Sequence, residues 1–116
     1  KSLIERSGVE AIFYSEKYKE QLKNAILEGT GKLKHLISMD LRVHEKGTYS
    51  QLELIETGKK LIKEGNREFL DAIINPEIMN IMLFTSGTTS QSKVVALSHK
   101  NLCSNLMDSI RYRLKW

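Results

Sequence analysis

Cysteine is nearly missing from this sequence. Cys103 stands alone among 116 residues, so no internal disulfide can form. That fits a reducing compartment, and a cytoplasmic location is expected. A lone cysteine on a helix more often packs as a small apolar residue than reacts, so Cys103 is expected to be buried. No His/Cys group has zinc-ligand spacing. No apolar run approaches the roughly 18 residues that a membrane-crossing helix needs, so no transmembrane segment is expected. The first ten residues, KSLIERSGVE, carry no long apolar stretch after the leading charge and do not read as a secretory signal. They also lack a starting Met, and the chain reads as a piece of something longer. Aromatic residues are few, with one Trp, four Tyr and three Phe, and they follow no repeated pattern. The net charge of +4 is dispersed, and its densest groups, Lys17/Lys19/Lys23 and Lys59/Lys60/Lys63, suit solvated helix faces. Nucleic-acid binding would want a clustered basic stripe with stacking aromatics, so no nucleic-acid partner is expected.

What remains is an ordinary globular balance, 41% hydrophobic and 28% charged, over a length that suits about one domain. Ala11-Ile12-Phe13-Tyr14 is a short apolar run of strand type. Ser15 follows as a helix N-cap, and Tyr18, Leu22, Ala25 and Ile26 form one helical stripe that ends at Glu28-Gly29. Leu36 to Met39 reads as a second strand. Strand, helix and strand at this length make a βαβ unit, hence a parallel sheet. Arg42 to Thr48 reads as a loop. Ser50-Gln51-Leu52-Glu53 has the capping-box pattern, so a helix starts there, with Leu54, Ile55, Leu61 and Ile62 on its apolar side. Gly58 should weaken or bend this helix by about 1 kcal/mol relative to Ala. Gly65-Asn66 punctuates it. A further short helix is expected from Arg67 to Ile74, stopping before Pro76.

Ile78 to Phe84 is nearly all apolar and suits a strand covered on both faces. Val94 to Leu97 is a second β-prone run. Ser98 is the expected N-cap of a closing helix that carries Leu102, Leu106 and Ile110. The fold class expected is α/β: a βαβ-type partial parallel sheet with flanking helices, plus a strand–phosphate loop–strand element leading to a C-terminal helix.

Between those last two strands lies Thr85-Ser86-Gly87-Thr88-Thr89-Ser90-Gln91-Ser92-Lys93. It is rich in hydroxyls and holds one glycine and one lysine. Phosphate oxygens want donors converging from one side. Backbone amides in a nest and short hydroxyl side chains supply them. Gly87 lets the backbone approach an anion closely, and Lys93 can place a point charge on a phosphoryl oxygen. The plainer reading is a hydroxyl-rich linker, but linkers between domains rarely interrupt a sheet in this way. A Walker A loop requires G-x-x-x-x-G-K-[ST] opening into a helix. Here Ser92 precedes the lysine, Val94 follows it, and the next run is β-branched, which disfavours a Walker phosphotransferase.

The segment Leu83 to Asn101, LFTSGTTSQSKVVALSHKN, strongly resembles the phosphate-loop motif of the adenylate-forming enzymes. That group includes acyl-CoA synthetases, luciferases and peptide-synthetase adenylation domains. Its pattern runs roughly Y-T-S-G-T-T-G-x-P-K-G-V, then a short strand, then T-H-x-N-L. Phe84 to Thr89, Lys93, Val95 and Ser98 to Leu102 match or resemble it. Ser90, Ser92 and Val94 depart from it, standing where the family usually has Gly, Pro and Gly. More diffusely, Ser7 to Phe13 looks like the start of a family strand, and Tyr49 to Gly58 looks like its S-x-x-E-L-L-x-x-G helix. Long-chain fatty acyl-CoA ligases are the nearest branch.

The resemblance implies that Thr85, Ser86, Gly87, Thr88 and Thr89 hold the β- and γ-phosphates of ATP, with Lys93 assisting and none of them acting as acid or base. It implies ATP, Mg2+ and coenzyme A as cofactors and a carboxylic, most closely a fatty, acid as partner substrate. It implies a parent enzyme that forms an acyl-adenylate and then an acyl-CoA. The family's adenine, ribose, hinge and C-terminal lysine elements are not found here, so residues 1–116 are expected to be a catalytically silent fragment of a larger N-terminal adenylate-forming domain. A sheet separated from its neighbours should self-associate. The competing readings are a non-enzymatic nucleotide- or protein-binding module and a peptide-synthetase-type adenylation fragment. His99 is expected to cap or pack rather than catalyse, and His35 and His44 are expected to be isolated and exposed.

Overall fold

The computed structural model describes residues 3–27, 31–86 and 92–113. They divide into two compact units, Lys1–Phe69 and Leu70–Trp116.

In the first unit a short helix, α1 (Leu3–Ser7), precedes strand β1 (Ala11–Tyr14). A 3-10 turn over Glu16–Tyr18 runs into helix α2 (Lys19–Leu27), and strand β2 (His35–Ser38) returns parallel to β1, pairing Ala11 with His35 through Tyr14 with Ser38. This is the expected βαβ unit. The core lies where Tyr14 of β1, Leu22 of α2 and Ile37 of β2 are buried together with the fully enclosed Ser38 and Ser50. Ser15 has the extended backbone of an N-cap, but its side chain does not cap the turn. Its hydroxyl donates to Asp40 Oδ2 at 2.8 Å, and the same oxygen takes the Glu16 N–H at 2.7 Å. Asp40, from the turn after β2, therefore does the capping. These two donors hold its carboxyl below its ordinary value, the Glu16 backbone N–H first and the Ser15 hydroxyl second.

Directly after the expected loop comes a third parallel strand that the sequence did not announce, β3 (Tyr49–Ser50), paired with Ile37–Ser38. Two residues are too few to show strand alternation in a sequence. Before it, Glu45 and Thr48 exchange backbone hydrogen bonds, and Gly47 occupies the turn at φ 81°, a conformation that costs glycine nothing. Helix α3 (Gln51–Lys63) follows and runs continuously through Gly58. Its C-terminus closes as a Schellman motif. Gly65 at φ 98° sends its N–H to Ile62 O, and Asn66 N–H reaches Leu61 O.

The helix expected over Arg67 to Ile74 is not formed; the residues make turns without helical structure. Asn66 Oδ1 accepts the Glu68 N–H at 3.1 Å, a local turn that competes with helix nucleation. Phe69 and Ile73 are 84% and 99% exposed. An eight-residue helix without a packed face does not offset the cost of nucleating it.

The second unit is an antiparallel hairpin, β4 (Met79–Thr85) with β5 (Lys93–Ser98), followed by helix α4 (His99–Arg113). The expectation that β4 is covered on both faces is not met. Met79, Met82 and Leu83 are at least half exposed, and no large apolar side chain among the described residues of this unit is buried. Cys103, expected buried, is exposed on α4 for the same reason.

Candidate phosphate-binding site

β-branched and long apolar residues dominate both hairpin strands, and their pairing puts the hydroxyl-rich segment at the end where the two strands are joined. Thr85 closes β4 and Lys93 opens β5, and the two residues are direct cross-strand partners. In an antiparallel pair, directly opposed residues project to the same face. The hydroxyl of Thr85 and the ammonium of Lys93 thus flank one side of the segment's mouth, both exposed. Among the described residues no carboxylate pairs with Lys93. A donor post and an uncompensated cation on one face suit an anion with several oxygens. Ser86 follows Thr85 as exposed irregular chain, and Ser92, half-buried, precedes Lys93. Gly87, Thr88 and Thr89, and with them Ser90 and Gln91, lie outside the described residues.

Val94, where the family pattern has glycine, sits opposite Phe84. An aromatic facing a β-branched residue stabilises a strand pair, so the extra bulk is taken up by the hairpin on the face away from Thr85 and Lys93.

At the opposite end of the hairpin, the start of α4 is tied down by a set of polar contacts that the sequence only partly announced. Ser98, almost fully buried, is the N-cap as expected. Its Oγ accepts the Asn101 N–H at 3.2 Å, while Asn101 Oδ1 accepts the Ser98 N–H at 3.0 Å and its hydroxyl at 3.0 Å. That is a reciprocal capping box with Asn in the third position. Lys100 donates its backbone N–H to Pro76 O at 3.1 Å and its ammonium to Glu77 Oε1 at 2.9 Å. His99, half-buried, places its Nδ1 3.0 Å from Asn80 Nδ2. The S-x-x-N spacing of Ser98 and Asn101 was the one readable signal. Asn80 and Glu77 gave none, because their partners lie about twenty residues away.

The capping box read at Ser50 and Glu53 is only half present. Ser50 Oγ accepts the Glu53 N–H at 3.2 Å. The Glu53 carboxylate instead accepts the His44 N–H, and the Ser50 N–H goes to His44 Nδ1 at 2.9 Å. His44 has inserted itself into the box. It is exposed as expected but not isolated, because its ring also meets Tyr49 edge-on at 5.4 Å. His35 likewise lies 5.9 Å from the Tyr49 ring. The His44 Nδ1 also lies 3.5 Å from Glu53 Oε2. No group of three His, Cys, Asp or Glu side chains that could hold a metal occurs among the described residues.

A family model described as "AMP-binding enzyme" matches residues 1–116, the whole chain. The chain belongs to the AMP-binding enzyme family. No curated protein and no solved structure gives a match. Membership places this AMP-binding chain among the adenylate-forming ligases, enzymes that use ATP and a carboxylic acid. The match spans both units. The strand–loop–strand hairpin with its following helix is thus one part of an AMP-binding chain, and the βαβ unit and α3 are another. No helix among the described residues is long and apolar enough to cross a membrane.

Proposed function

We propose that this chain supplies the ATP phosphate-binding loop of an acid–thiol ligase, most closely a long-chain fatty acyl-CoA ligase. In the first half-reaction a carboxylate oxygen attacks the α-phosphorus of ATP, the bond to the bridging oxygen breaks, and pyrophosphate leaves. In the second a thiol takes the acyl group and AMP leaves. The work assigned to the chain is positioning and charge neutralisation at the β- and γ-phosphates by Thr85, Ser86, Gly87, Thr88 and Thr89, with Lys93 placing its charge on a phosphoryl oxygen. None of these side chains moves a proton. Magnesium belongs to the reading as an ion carried largely by the phosphates, the usual arrangement for this cation. Coenzyme A is the proposed thiol, and the proposed setting is the cytoplasm.

One observation carries the reading: Thr85 and Lys93, which has no carboxylate partner among the described residues, stand opposite each other at the mouth of the hydroxyl-rich segment. The chain is proposed to be part of a larger adenylate-forming domain and silent alone, because its second unit buries no large apolar side chain among the described residues. ATP–pyrophosphate exchange in the full-length protein tests the reading. Exchange should depend on a carboxylate, be strongest with long-chain fatty acids, and be followed by coenzyme A-dependent AMP release. Exchange driven by amino acids, with acyl transfer only to a carrier-protein thiol, would move the protein to the peptide-synthetase branch. No exchange with any acid would favour a nucleotide- or protein-binding module.

A further inference from the structure

The register of β4 against β5 changes between its two ends. Met79 faces Ser98, but Ile81 already faces Leu97, and the pairing then runs without interruption to Thr85 and Lys93. Asn80 is the extra residue, a β-bulge in β4. Side chains alternate along a strand, so a one-residue slip turns every later side chain to the opposite face. The bulge therefore decides whether Thr85 emerges on the same side as Lys93 or on the other, about 17 Å further along the strand. Asn80 does not leave its bulge unsupported, since its amide nitrogen lies 3.0 Å from His99 Nδ1. An amide nitrogen only donates, so the contact is a hydrogen bond with the imidazole Nδ1 as acceptor. Helix α4 does not need this bond for its own capping, which Ser98, Asn101 and Pro76 O already provide.

We propose that Asn80 and His99 act as a register lock, positioning residues that hold Thr85 across from Lys93 at the mouth of the hydroxyl-rich segment. The inference rests on the reading of that loop as an ATP site. Neither residue touches the nucleotide. Their effect runs through the strand pairing alone, and the bulge explains why a polar side chain belongs within an otherwise apolar strand.

Equilibrium binding of ATP and of AMP to the full-length protein tests it, with Lys93→Ala as the control for the loop reading. Asn80→Ala and His99→Ala should each weaken ATP binding by about fivefold to tenfold, with AMP binding and the unfolding midpoint little changed. His99→Asn, whose side-chain oxygen can replace Nδ1 as acceptor, should restore most of the loss. A merely structural role would lower stability, or both affinities together, and no rescue would follow. If Lys93→Ala weakens ATP binding while Asn80→Ala leaves it intact, the lock is overturned and the loop reading stands. If Lys93→Ala has no effect, both fall. Should a variant fail to fold, nitrogen NMR of the unaltered protein decides. An Nε2–H tautomer at His99 with a contact to the Asn80 amide supports the lock, and an Nδ1–H tautomer overturns it.

Discussion

Asp40 shows how far a single side chain can reach. Its carboxylate caps the turn before α2 by taking the Glu16 N–H and the Ser15 hydroxyl, and its pKa is lowered from the ordinary 3.8. A group whose folded pKa is depressed stabilises the fold fully above its unfolded value and loses that contribution as pH falls through the folded one. Glu16 is lowered in the same sense, by the Ser38 hydroxyl first and then by Lys19. Acid unfolding followed by circular dichroism should therefore begin as the pH drops below the usual carboxylate range. Asp40→Asn should lower stability at neutral pH and flatten that acid limb, whereas an unchanged acid limb would contradict its capping role. On the hairpin, Val94→Gly should destabilise the β4–β5 pair by about 1 kcal/mol, because it removes the cross-strand partner of Phe84 and adds backbone entropy. Denaturant unfolding measures this, and a stabilised variant would show that the valine strains the loop instead.

Elements were legible where a pattern was long or where two signals agreed. β1, α2, β2, α3, β4, β5 and α4 lie where apolar periodicity and capping residues put them. β3 was hidden because two residues carry no period, and its parallel pairing with β2 joins residues well separated in the chain, Ile37 with Tyr49 and Ser38 with Ser50. The expected helix over Arg67 to Ile74 had composition in its favour but no face to bury. Capping chemistry was right in kind and misplaced in detail. The reciprocal box formed at Ser98 and Asn101, and at Ser50 and Glu53 it was opened by His44, a residue close in space that the four-residue pattern does not contain. Ser98→Ala should cost α4 about 1 kcal/mol, and Asn101→Ala should cost a similar amount by removing the reverse arm. A double variant whose loss equals the larger single loss would show that the two residues act as one unit.

At the scale of the whole molecule, the two units differ in how well they are closed. Lys1–Phe69 has a small core at Tyr14, Leu22 and Ile37, whereas the described residues of Leu70–Trp116 expose Met79, Met82, Leu83, Leu106 and Met107 by half or more. The 116 residues produced alone should self-associate. Light scattering would show mass rising with concentration, and a constant monomer mass would contradict this. The segment proposed to grip phosphate stands out in the sequence by its hydroxyl, glycine and lysine content, and the hairpin adds what composition lacks, the facing of Thr85 and Lys93. The bulge at Asn80 was not legible, because register is a property of two strands together. The account stands most directly on the affinity of the full-length protein for ATP against AMP, measured with and without Lys93→Ala. A grip on the β- and γ-phosphates predicts at least about tenfold weaker ATP binding with AMP binding unchanged, and equal losses for both nucleotides, or no loss for either, would contradict it.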